Sequence, residues 1–265
     1  GDILASGSYD GTIRLWIRDA QMWQVAKLFT GHQGYITDVS ISLDGFLVAS
    51  AGYDKTVQIW DTSNIYDAVP SADQPQSTTQ TSPSSPKNSS SRMAAVLEPL
   101  SSPESNASPD PSPSKTAEIK LKCAPLRACA FTPDGKRIAT ASEDNVVHIF
   151  VLKQGVGRLV RTLEGHRNHV VDLSWSPDGQ FLASTAEDSK VLLWHSHTGM
   201  LLGKLRGHAH PLNSIAWSSD GTLMAGGSMQ KLVIIWDIAQ GKVVRTLHGH
   251  AGDIRSVAWS PDGTM

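Results

Sequence analysis

GHRNHVVDLSWSPDG (residues 165–179) sets two histidines three apart, His166 and His169, ahead of two acids, Asp172 and Asp178. Alone, an H-x-x-H pair with nearby carboxylates is a candidate metal site or acid/base pair. The rest of the chain decides between that chemistry and architecture. Gly-His recurs at 31–32, 165–166, 207–208 and 249–250, and His166, His208 and His250 are spaced 42 residues apart. An apolar alternation and then a turn follow each: SLDG (42–45), SPDG (176–179), SSDG (218–221), SPDG (260–263). In the first three units a second apolar run comes next, then a polar turn and a run ending in Trp: VQIW (57–60), VLLW (191–194), VIIW (233–236). The N-terminus reads as half a unit, ILASGSYDGTIRLW, ending at Trp16.

Short β-branched and aromatic runs split by Asp-Gly turns are strands. About four of them per roughly 42 residues, in register, make a β array rather than a sandwich. The pattern resembles the WD40 repeat family over residues 1–61 and about 118–265. That resemblance implies an all-β WD40 propeller of four-stranded antiparallel blades, strands a to d running from inner to outer. Strands a, b and c fall at 35–61, 125–151, 169–195 and 211–237, each d just before the next Gly-His. The N-terminus supplies only b and c of its repeat, the C-terminus a d (243–247) and an a (253–259). Joined, those ends would close five blades. The family's usual count of seven favours a fragment of a seven-bladed propeller, as does a start at Gly1 inside a strand-like run. The 125–150 unit is degenerate, with Lys122 where the His belongs and Phe150 in place of Trp.

Residues 62–117 break the pattern and separate the propeller segments 1–61 and 118–265. They hold 15 Ser and 9 of the chain's 14 Pro, with no Gly, Trp or Phe. Such a composition buries no core, so the segment reads as a disordered insertion in a c–d loop. Five Ser-Pro pairs make Ser82, Ser85, Ser102, Ser108 and Ser112 candidate phosphosites, the last within SPSK. Each phosphate would add about −1.5 to −2 charges. The c–d loops leave the face of the PDG turns, so the insertion does not cover the opposite face.

The chain of 265 residues is 40% hydrophobic and 18% charged, with a net charge of −2. No strong field draws it to nucleic acid or an anionic membrane. Two cysteines, Cys123 and Cys129, are too few for a disulfide framework or a four-thiolate zinc site. Without a leader or an apolar run of bilayer length, the expected place is intracellular, cytoplasmic or nuclear. No Walker loop, G-x-S-x-G or H-E-x-x-H is present, so no cofactor and no catalytic residue is expected. His195-x-His197 has no Asp or Glu between 189 and 219 to complete a metal set.

The resemblance gives the histidines a structural role. The Gly-His imidazole bonds the Asp of the b–c turn, and the network runs on through a strand-b Ser to the strand-c Trp. Complete sets are His32, Ser50, Asp54, Trp60 and His166, Ser184, Asp188, Trp194. Ser6, Asp10 and Trp16 lack a His, which His250 would supply in a closed ring; Gly226 and Gln230 leave His208 without its usual partners. Partners of this family dock on the face of the Gly-His and b–c loops. The positions carried over are Tyr9, Tyr35, Thr37, Tyr53, Arg127, Glu143, His169, Glu187, Asn213, Met229, Asp253 and Arg255. Tyrosines on one side and acids on another suit a peptide with an apolar anchor and a basic residue. The expected function is therefore a non-catalytic scaffold for protein or peptide partners within a multiprotein complex. The alternatives are a sensor module attached to an ATPase or signalling domain, and a propeller enzyme.

Overall fold

The computed structural model describes residues 3–19, 22–63, 115–120, 124–153 and 156–263. Its architecture begins with one turn used repeatedly. In SPDG, the Ser176 hydroxyl donates to Asp178 Oδ1 at 2.5 Å and Gln180 N–H donates to the same oxygen at 3.0 Å. Gly179 sits at φ 68°, a conformation that a Cβ disfavours, and its N–H donates to Ser176 O at 2.8 Å. These bonds reverse the chain and start an antiparallel neighbour.

Nineteen strands follow among the described residues, with no helix. The first sheet is three-stranded: β1 (Ile3–Gly7), β2 (Thr12–Asp19) and β3 (Met22–Thr30). The second holds β4 (Ile36–Ile41), β5 (Leu47–Gly52), β6 (Thr56–Asp61) and β7 (Lys115–Lys120). The third holds β8 (Leu126–Phe131), β9 (Arg137–Ser142), β10 (Val146–Lys153) and β11 (Val156–Glu164). The fourth holds β12 (Val170–Trp175), β13 (Phe181–Ala186), β14 (Val191–His195) and β15 (Leu201–Leu205). The fifth holds β16 (Leu212–Trp217), β17 (Leu223–Ser228), β18 (Val233–Asp237) and β19 (Lys242–Leu247). All pairings are antiparallel and sequential, so each sheet is a meander, one blade per repeat.

The core lies between blades. Ile13, Leu15 and Phe29 of the first pack on Ile36, Val48 and Trp60 of the second. Trp60, Trp194 and Trp236 are at most 2% exposed, each anchoring its own blade against its neighbour. Every inner strand carries an irregularity at the same place, so that Thr37, Arg127, Val171 and Asn213 fall outside the pairing register. Such bulges redirect side chains, and here they deliver the redirected residues to the mouth of the central channel.

Two sequence expectations change. Residues 253–259 form no strand, although they occupy the next inner position: Val257 N–H donates to Ser214 Oγ and Trp259 Nε1 to Ala216 O. Trp217 bonds Ser174 in the same two ways. Among the described residues the segment lacks a second-strand neighbour, because β1 ends its sheet on the free side, and no strand pairing closes a ring of five. Strand β7 begins at Lys115, inside the stretch that composition assigned to the insertion. Before the insertion, Thr62 N–H donates to Phe46 O beside the SLDG turn. Residues 64–114, with all five candidate phosphosites, lie outside the described residues.

Candidate functional site

The structure brings both four-residue sets together. In the fourth blade His166 Nδ1 lies 3.2 Å from Asp188 Oδ1, Nε2 lies 2.8 Å from Ser184 Oγ, and Trp194 Nε1 donates to that Oγ at 2.8 Å. In the second blade the corresponding distances are 2.9 Å (His32 to Asp54), 2.8 Å (His32 to Ser50) and 3.0 Å (Trp60 to Ser50). An indole N–H only donates, so the proton order runs Trp to Ser to His to Asp, with Nδ1 protonated. Burial pushes the Asp188 carboxyl up, but the His166 bond and the Arg167 amide outweigh it and hold it at about 2. His166 is therefore a structural group whose two nitrogens are both engaged, and Asp178 belongs to its turn.

The incomplete sets find other partners. Trp16 Nε1 donates to Ser6 Oγ at 2.9 Å, but His250 is exposed and no bond joins it to Asp10. His208 takes the Gly226 carbonyl at 3.2 Å, and Trp236 donates to Arg206 O at 2.7 Å. The sequence expectation of a lost partner is thus corrected to a substitution by main-chain acceptors. A Cβ on Gly226 would come within 2.7 Å of Trp236, whose ring fills the space of the absent side chain.

In the third blade the Thr140 hydroxyl is fully buried with no hydrogen-bond partner among the described residues, since both the His and the Trp are missing. A buried orphan hydroxyl costs about 1–3 kcal/mol. Thr140→Val, which keeps the shape, is expected to raise the melting temperature by about 2–4 °C in a calorimetric scan; a fall would mean that the hydroxyl is satisfied.

The candidate face is built by one recurring bond. Tyr53 N–H donates to Tyr35 O, Glu143 to Pro125 O, Glu187 to His169 O and Met229 to Pro211 O, at 2.8–3.1 Å. Each bond ties the loop after Gly-His to the b–c turn and sets their side chains side by side. Tyr9, Tyr35 and Tyr53 consequently form a row, with ring centroids 5.1 and 6.3 Å apart and exposures of 77%, 55% and 48%. Across the face, His169 lies 3.7 Å from Glu187. Met229, Asp253 and Arg255 are exposed.

Four of the carried-over positions have internal work. Thr37 donates to Leu126 O of the next inner strand, and Asn213 to Ile254 O. Arg127 pairs with Glu143 at 2.6 Å. The first two are stitches between blades, a role beside the face positions carried over for them.

The channel mouth, about 400 Å³, is lined by Thr37, Arg127, Val171, Asn213 and Arg255 and by the residue following each, with Tyr9 at its rim. Sequence reasoning missed the following residues. Asp38 Oδ2 accepts Cys129 N–H at 2.9 Å, and Asp172 Oδ2 accepts Ile215 N–H at 2.8 Å, each on the next inner strand. Their signal was a polar residue six after each Gly-His histidine: Asp38, Asp172, Ser214 and Ser256. Burial raises Asp38 to about 7, with Asp172 adding to the rise against the Cys129 amide. Burial raises Asp172 to about 6 against the Ile215 and Leu173 amides.

His195 and His197 lie 6.2 Å apart, and His195 Nδ1 faces the Thr198 hydroxyl at 3.0 Å. Among the described residues no three His, Cys, Asp or Glu side chains gather to hold a metal, and no helix is long and apolar enough to cross a membrane.

Comparison with known sequences follows the same repeat boundaries. The family described as WD domain, G-beta repeat matches residues 1–16, 23–61, 117–150, 157–195, 199–237 and 241–265. Nuclear distribution protein PAC1 of Arthroderma otae is 30% identical over 193 residues, 72% of this chain and 32% of that protein. Nuclear distribution protein nudF of Aspergillus niger is 27% identical over 198 residues, 75% of this chain and 38% of that protein. Pre-mRNA-processing factor 19 homolog 2 of Arabidopsis thaliana is 30% identical over 203 residues, 73% of this chain and 36% of that protein. The chain thus spans about a third of the length of these relatives.

Proposed function

Because this chain belongs to the WD40 repeat family, we propose that it works without catalysis as a protein-interaction scaffold, its partner docking on the Gly-His and b–c loop face. The tyrosine row carries the reading. Three adjacent rings expose their faces on loops fixed by main-chain bonds, which gives contact area at small cost in side-chain entropy. A partner with an apolar anchor fits that row, and a basic residue fits Glu187, which is held by no guanidinium or ammonium among the described residues. His32, His166 and most of the acids of this face are engaged in turns, blade stitches or four-residue sets, which supports a binding role over hydrolysis. Phosphorylation at Ser82, Ser85, Ser102, Ser108 or Ser112 would add charge on the opposite side and tune assembly without blocking the face. The relatives' names place two in nuclear distribution and one in pre-mRNA processing. An intracellular scaffold of a multiprotein complex is consistent with those names.

The test is affinity capture from lysate with the intact protein beside Tyr9→Ala/Tyr35→Ala/Tyr53→Ala, scored by quantitative mass spectrometry. Loss of at least tenfold of the principal partners is expected, with an unchanged melting temperature. Retention of every partner would overturn the assignment of the face.

A further inference from the structure

A groove of about 570 Å³ runs along the upper outer edge of the fourth blade. Its walls are the loop after Gly165, the b–c turn and the end of β15. Arg167, Lys190, Lys204 and Arg206 line it, with Asp188 the one acid. That carboxylate is already engaged by His166, the Arg167 amide and Lys190 Nζ at 3.5 Å. Among the described residues, Arg167, Lys204 and Arg206 have no ion-pair partner. The ring of His208 also lines the groove; its Nδ1 has no hydrogen-bond partner among the described residues, and burial lowers its affinity for protons against the Gly226 and Gln230 contacts.

The fold supplies its own control. The second blade has the same groove, bounded by Gly31, Asp54 and β7. Equivalent positions follow from the strand registers, in which Thr56 faces Lys120 and Val191 faces Leu205. There the four places hold Gln33, Thr56, Glu118 and Lys120, and Lys120 is within 3.6 Å of Glu118. The geometry is common to both blades, so the four cations of the fourth are not demanded by folding. Gathering four cations about one carboxylate that is already engaged is unfavourable unless an anion visits.

We propose that this groove binds the phosphate of a phosphoserine- or phosphothreonine-bearing segment of a partner protein. A phosphate monoester presents about two negative charges and three acceptor oxygens, which two guanidinium and two ammonium groups can share. The site is concave and local, on a chain with net charge −2, unlike the extended basic surface that a nucleic acid needs. It is separate from the tyrosine row, so either site can fail without the other.

The experiment passes the full chain over beads carrying degenerate peptides with one fixed phosphoserine, beside beads carrying the same peptides with serine. Retention on the phosphoserine beads is expected to be at least tenfold higher and to fall as salt rises. Lys204→Gln/Arg206→Gln is expected to drop to the serine level, and Arg167→Gln to weaken retention about threefold or more. Lys120→Gln, at the matching place in the second blade, should retain fully, as should the triple tyrosine variant. All of these side chains are on the surface, and a thermal melt checks that each variant folds. Equal retention on both beads would overturn the proposal, as would full retention by the double variant. Tighter retention on phosphatidylserine vesicles or single-stranded RNA than on the phosphopeptides would also overturn it.

Discussion

Asp188→Ala is expected to lower the melting temperature by about 6–12 °C, whereas Gln230→Ala, at the same place one repeat later, should move it by about 1 °C or less. The contrast follows from what each side chain holds. Asp188 accepts from the buried His166 ring and from the Arg167 and Lys190 amides. Truncation leaves the His166 Nδ1–H without an acceptor at a side chain only 1% exposed. A buried orphan donor costs about 1–3 kcal/mol, and the two amides, which water can reach, add less. A loss of about 3 kcal/mol becomes the stated shift at roughly 2–4 °C per kcal/mol for a chain of this size. Gln230 holds one exposed amide, Ala209 N–H at 3.2 Å, and His208 rests on the Gly226 carbonyl whatever stands at 230. Equal effects of the two substitutions in a thermal melt would show that the chain from Trp to Asp is not what fixes these loops.

The sequence was legible where one residue type served one periodic purpose. The 42-residue spacing named the strands, the turns and both complete sets, because a Gly-His loop, an Asp turn and a buried Trp recur at fixed offsets. It was less legible where a side chain serves the neighbouring blade. Thr37 and Asn213 were carried over as contact residues, yet their donors close bonds to Leu126 O and Ile254 O. Nothing in a single repeat shows which acceptor the next blade will present. The C-terminal strand failed for a related reason. Residues 253–259 have the right pattern and the right stitches to β16, but a strand needs a hydrogen-bonded neighbour, and β1 does not supply one. The tyrosine row was visible as three residues and not as a row, since its spacing is set by main-chain bonds between loops.

The stitches also predict a pH dependence. Asp38 and Asp172 titrate near 7 and 6 in the folded chain because burial disfavours their charge. In the unfolded chain both ionise near the ordinary carboxylate value of about 3.9. Between about pH 4 and pH 7 the folded state therefore holds more protons than the unfolded state. Stability contributed by these two groups is full below about pH 4 and falls as pH rises towards 7. Arg127, at the same channel mouth, does not reverse this, since it is spent on Glu143. The repeat itself offers the right substitution. Ser214 occupies the same place one blade later and accepts Val257 N–H at 3.2 Å, so serine can make the stitch without a charge. Asp38→Ser/Asp172→Ser is expected to remove most of the decline between pH 4 and 7. Half of the Asp38 displacement alone corresponds to about 2 kcal/mol, or roughly 4–8 °C of difference in slope against the unaltered chain. Taking the difference between the two proteins cancels the histidines, His148 and His208 among them, whose burial-lowered affinity for protons pushes the other way. Parallel melting curves from pH 4 to 7 would mean that both carboxylates stay ionised in the channel, held by its guanidinium groups rather than by the blades.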